Sequence, residues 1–126
     1  PYRTDLRDHA GYCGLFRTPT LRNVALRRSF FHNGVYHSLD EVLRFYVRRD
    51  THPGEFYPRD AEGRVQKFDD LPARHHANVN LDPPFDRVPG EAPALDDAEI
   101  ADLIAFLHTL TDADLAGVPP PMDMPR

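Results

Sequence analysis

Between Asp50 and Ala94 the chain reads DTHPGEFYPRDAEGRVQKFDDLPARHHANVNLDPPFDRVPGEAPA, 45 residues in which no hydrophobic period survives. Seven prolines fall in this stretch. Each fixes φ and removes a backbone donor, so neither a helix nor a central strand can run through it. A compact domain rarely carries so long a loop without structure of its own. Phe56, Tyr57, Phe68, Leu71, Val79 and Phe85 are spaced through it. That spacing predicts an irregular wrapping segment over 50–94, tethered rather than disordered, with a short helix around Leu71–Ala77. At 126 residues the chain has room for one core, so it is read as a single domain, 1–126.

Regular structure is confined to what flanks the wrap. Ser38-Leu39-Asp40-Glu41 is a capping-box pattern: the Ser38 hydroxyl accepts from the Glu41 N–H, and the Glu41 carboxylate accepts from the Ser38 N–H. Leu39, Val42, Leu43, Tyr46 and Val47 then form a helical stripe, with Arg48 and Arg49 near the C-terminal end of the dipole. Asp96-Asp97-Ala98-Glu99 repeats the pattern, and Ile100, Leu103, Ile104, Leu107 and Leu110 make the stripe of a second helix over 97–109. Upstream, Thr18 and Pro19 suit a helix start with Leu21, Val24 and Ala25 behind it. Asn33-Gly34 marks a turn, because both residue types tolerate positive φ. From Leu115 to Arg126 the chain reads as a proline-rich tail. Met122 and Met124 lie in it and are read as inert.

These elements supply few large core residues. Their apolar stripes therefore need a partner: a homodimer, a larger body or a cofactor. On residues alone, Tyr46 is a core tyrosine with its hydroxyl bonded to a carbonyl.

Residues 1–49 hold nine arginines against four acids, whereas 50–126 hold six basic against sixteen acidic residues. Intramolecular neutralisation accounts for this polarity as well as an anionic partner does. The overall charge of −5 and the lack of any nucleic-acid motif speak against DNA or RNA. No apolar run approaches the roughly 20 residues that span a bilayer. Cys13 is alone, which excludes a disulfide framework and a C-x-x-C-H haem attachment within these residues, and it reads as a buried or incidental thiol. His75 and His76 would need His52 or His108 to hold a metal. Adjacent histidines diverge on most backbones, and no carboxylate spacing supports such a site. PYRTDL has neither an initiator methionine nor a leader, and reads as a processed end or a cut through a longer chain.

GLFRTPTLRNVAL at Gly14–Leu26, FFHNG at Phe30–Gly34 and SLDEVLRFY at Ser38–Tyr46 resemble the bacterial dihaem cytochrome c peroxidase and MauG family. KFDDLP at Lys67–Pro72, NVN at Asn78–Asn80, PPF at Pro83–Phe85 and the closing PALDDAEIADLIAFLHTLTD continue the resemblance in order over nearly the whole chain. It implies a mainly α fold: the C-terminal part of a second cytochrome c-like haem domain, a few short helices with long irregular loops. It further implies c-type haem attached through C-x-x-C-H motifs outside this chain, an N-terminal haem domain, hydrogen peroxide as oxidant, a redox partner protein or small electron donor, and the periplasm. The full-length parent would then be a peroxidase-like oxidoreductase, with no catalytic residue for O–O cleavage in these 126 residues and the isolated chain inactive. A haem-free structural or interaction module is the alternative.

The resemblance also bears on single residues. Counted from His32, the family position that carries a methionine ligand in the peroxidases and a tyrosine in MauG falls on Tyr46, which makes Tyr46 the axial ligand of the haem iron. His32 and Arg22 lie in family motifs and are implied to bind haem propionates or fix the loop around them; His32 tying down the Asn33-Gly34 turn explains it equally well. The backbone carbonyls of Arg27 and Ser29 match positions that help bind calcium, although two adjacent arginines oppose a dication.

Overall fold

The computed structural model of the chain describes residues 5, 8–115 and 117. Its described part is mainly helical. Two α-helices, α1 (Leu39–Arg48) and α2 (Asp97–Thr109), are joined by irregular backbone and short 3-10 turns. Pairing of the β type is limited, among the described residues, to two isolated antiparallel bridges, Phe30 with Tyr36 and Arg59 with Val65. The residues divide into two compact units, Pro19–Tyr46 with Leu95–Arg126, and Pro1–Thr18 with Val47–Ala94.

In the first unit both capping boxes form as their sequences predict. The Ser38 hydroxyl accepts from the Glu41 N–H at 3.2 Å while Glu41 Oε2 accepts from the Ser38 N–H at 3.0 Å. Asp96 and Glu99 exchange the same pair at 2.9 Å each. Orphan N–H groups at both helix starts are thus satisfied within the helices' own sequence. Val24, Phe30, Leu39 and Leu107 make a small buried cluster, with Val42, Leu43, Leu103, Ile104 and Leu110 packed against it. Ile100 is 2% exposed. Arg44 ties the two helices, its guanidinium donating to Asp40 and to Asp97 at 2.7 Å each.

The helix expected from Thr18 onward does not form. Residues 15–21 have no helical structure, and only a 3-10 turn, Val24–Leu26, follows. Asn23 stops any earlier helix: it sits in the left-handed region at φ 60°. Its side chain and the Asp112 backbone and carboxylate exchange hydrogen bonds of 2.9 and 2.8 Å, an alternative to helix that short amides readily take.

The second unit is held by charge as much as by apolar burial. Arg49, Asp50 and Thr51 are about as buried as Val47 and Phe85. Arg49, expected near the C-terminal end of the helix dipole, lies one residue beyond the end of α1 and is buried. Its Nε and Nη2 reach Asp50 Oδ2 at 2.7 Å, and Nη2 donates to the Asn80 carbonyl at 3.0 Å. Its guanidinium lies 3.9 Å from the Phe85 ring centroid. Lys67 donates to the other Asp50 oxygen. From 50 to 94 the chain makes two 3-10 turns, Pro53–Glu55 and Ala73–Asn78, the second near the short helix expected at Leu71–Ala77. Asp60 closes the loop between them by accepting from the backbone of Glu62 and Arg64 and from the side chains of Arg64 and Gln66. Asn78 donates to the carbonyls of Ala10 and Cys13. Cys13 is an exposed free thiol rather than a buried one. Apart from Leu115 and Gly117, the proline-rich tail over 115–126, with Met122 and Met124, lies outside the described residues.

Candidate functional site

At 100° per residue, Tyr46 falls inside the stripe made by Leu39, Val42, Leu43 and Val47, between Val42 and Leu39. The burial does not follow the angle. Leu39 and Val47 are 9% and 5% exposed, whereas Tyr46 is 38% exposed. A face patterned for burial therefore carries a half-exposed phenol near its end.

Two aromatic rings pack beside Tyr46. Phe31 lies 5.8 Å from its ring and Phe45 6.3 Å. Phe31 also meets Phe45 at 5.3 Å and Tyr36 at 5.4 Å, both edge-on, and Tyr36 meets Phe45 at 5.6 Å. Edge-to-face contacts of this kind add about 0.5–1.5 kcal/mol per pair beyond area burial. Burial, and then the negative charge of Glu41, push the Tyr36 phenol above its ordinary pKa, so it stays protonated through neutral pH. The loop that presents Phe31 is closed by the Phe30–Tyr36 bridge and by the Val35 N–H donating to the Asn33 side chain. Its positive φ angles fall on Phe31 (61°) and Gly34 (66°), and Asn33 is not among the positive-φ residues. Glycine adopts that region freely; phenylalanine does so at a cost of about 1–2 kcal/mol.

Arg22 is engaged within the protein. Its Nε and Nη2 grip Asp112 at 2.9 Å each, across 90 residues of sequence. Sequence reasoning missed Asp112, because nothing local marks a partner so distant. The hydrogen bonds from Arg22 and then from Asn23 hold the Asp112 carboxyl below its usual range. A carboxyl with a depressed folded pKa stabilises the fold above the unfolded value of about 4 and loses that contribution as pH falls through the folded one. Thermal melts from pH 7 to pH 3 are therefore expected to show a steeper acid-side fall for the wild type than for Asp112→Asn, with parallel curves refuting the clamp.

His32 is exposed, two residues before Gly34 in the turn. Arg27 is exposed and donates to the Thr20 carbonyl at 3.2 Å, and between it and Ser29 the Arg28 carbonyl pairs with His37 Nδ1 at 3.0 Å. Thus Tyr46 and Phe31 come together, whereas Arg22 is drawn to the end of α2. Among the described residues no three His, Cys, Asp or Glu side chains gather as a metal site, and the grouping of His75 and His76 with His52 or His108 does not form. An open depression of about 340 Å³, lined by Ala25, Phe30, Leu39 and Ile104 with His37 and His108 among its polar residues, includes neither Tyr46 nor Phe31.

The surface suits a flat apolar cofactor with an iron at its centre. A phenol supplies an anionic oxygen donor to a hard metal, and Phe31, 37% exposed, offers a ring face beside it. Seven buried hydrophobic residues stand against ten large exposed ones among the described residues, a deficit that a bound porphyrin would offset. The fold, mainly helical with a few short helices, is that of a cytochrome c-like haem domain portion.

No family model matches this sequence. It is 30% identical over 105 residues to the methylamine utilization protein MauG of Paracoccus denitrificans (strain Pd 1222), covering 79% of this chain and 23% of MauG. The diheme peroxidase BthA of Burkholderia thailandensis E264 matches with a TM-score of 0.71 and 48% identity, over 82% of this chain and 24% of BthA. A tyrosine-to-methionine variant of BthA matches with a TM-score of 0.77 and 45% identity, over 88% and 26%. The chain belongs to the MauG-like dihaem cytochrome c peroxidase family, and it spans about a quarter of the length of these relatives.

Proposed function

We propose that residues 1–126 act as one domain, the C-terminal part of the second haem domain of a dihaem peroxidase, and that Tyr46 is an axial ligand of its haem iron. The observation that carries this is Tyr46 left 38% exposed within an apolar stripe, and the family resemblance implies a ligand at that position. The haem, held through thioethers outside this chain, supplies a reversible one-electron couple when bound. These residues bind and tune it. Tyr46 gives a hard anionic oxygen, which favours the ferric and higher states over the ferrous one. Phe31 and Phe45 pack their rings beside the Tyr46 ring, at 5.8 and 6.3 Å between centroids.

The parent would reduce hydrogen peroxide, or use it to oxidise a protein or small-molecule substrate, in the periplasm, with electrons from a redox partner. His32 would stand beside a haem propionate. Arg22 reaches one only in competition with Asp112. A calcium ion on the Arg27 and Ser29 carbonyls would have to overcome the repulsion of the adjacent arginine side chains. No described helix is long and apolar enough to cross a membrane.

Resonance Raman and absorption spectra of the haem-loaded protein test this. Phenolate–iron bands are expected in the wild type and absent in Tyr46→Phe. Identical spectra would return Tyr46 to the role of a packing residue, and a colourless preparation would favour the haem-free module.

A further inference from the structure

Phe31 is held in left-handed backbone, yet 37% of it is exposed, so burial does not account for the strain. The Phe31 carbonyl also accepts the Gly34 N–H at 3.3 Å, opening the turn within the loop that the Phe30–Tyr36 bridge closes. What the conformation accomplishes is aim. It places the Phe31 ring against Tyr36 and Phe45, which brace each other at 5.6 Å, and against Tyr46 at 5.8 Å. A half-exposed tyrosine on a helix otherwise samples several rotamers, whereas an axial bond requires one.

We infer that Phe31 is a positioning residue whose ring, backed by Tyr36 and Phe45, fixes the direction in which the Tyr46 phenol approaches a bound metal. The inference rests on the reading of Tyr46 as a ligand. Phe31 itself touches no reacting atom. It acts through Tyr46, and backbone strain at residue 31 is the means by which the loop points its ring inward.

Asparagine tolerates the left-handed region, so Phe31→Asn keeps the backbone and removes the ring. In the haem-loaded protein this variant is expected to shift and weaken the phenolate–iron Raman bands, and relief of the left-handed strain offsets only part of the stability lost with the ring contacts. Phe31→Tyr, which restores a ring, is expected to keep the bands. Bands present in the wild type, lost in Tyr46→Phe and unchanged in Phe31→Asn would overturn this inference alone. Bands missing from the wild type would overturn the ligand reading and this inference with it. If Phe31→Asn yields no haem-loaded protein, Phe31→Leu, which keeps an apolar body without a ring, is read by the same bands.

Discussion

Asp50→Ala is expected to cost the fold about 3–5 kcal/mol, the largest loss of any single substitution considered for this chain. Asp50 is 4% exposed and takes Arg49 on one oxygen and Lys67 on the other. Removing it leaves the Arg49 guanidinium, 5% exposed, without its counter-charge; the Asn80 carbonyl and the Phe85 face remain, but neither carries a full negative charge. Lys67 is 31% exposed and can turn to water, so Arg49 carries most of the loss. Urea unfolding measures it directly. Arg49→Met combined with Asp50→Leu is expected to lose less than Asp50→Ala alone, because replacing a buried ion pair by apolar volume removes both desolvation penalties. A loss below about 1 kcal/mol for Asp50→Ala would show that this unit is held by its apolar contacts instead.

Tyr46→Met in the haem-loaded protein is expected to raise the potential of one haem by some tenths of a volt, within the ~0.8 V that axial ligands span. Thioether sulfur is soft and favours ferrous iron, whereas phenolate oxygen is hard and stabilises ferric iron. Helix α1 should survive the exchange, since methionine is the better helix former and the site is half-exposed. Spectroelectrochemical titration reads the shift. An unchanged pair of potentials would mean that residue 46 does not reach the iron.

The two predictions differ in how far their residues were legible beforehand. Tyr46 was singled out by the ordered family motifs around it, since its place in the patterned helix alone read as core. The charged core did not. Arg49 follows α1 and read only as a cation near the helix dipole, because what buries it, Phe85 and the Asn80 carbonyl, lies more than thirty residues away across an aperiodic segment. Arg22 shows the same limit, its guanidinium being claimed by Asp112 at the other end of the chain.

What the sequence determined by itself was local. The Ser38–Glu41 and Asp96–Glu99 boxes start their helices where expected, because a cap needs only side chains three residues apart. Proline content kept 50–94 free of α-helix and of strands beyond a single bridge, because φ and the missing donor act at each residue alone. The tertiary structure decided the rest: that Asn23 turns left-handed instead of continuing a helix, that Phe31 takes a strained φ to place its ring, and that Tyr46 emerges from a stripe patterned for burial. Each of these depends on contacts with residues far along the chain or on a loop closed over them, and no short window of sequence carries that information.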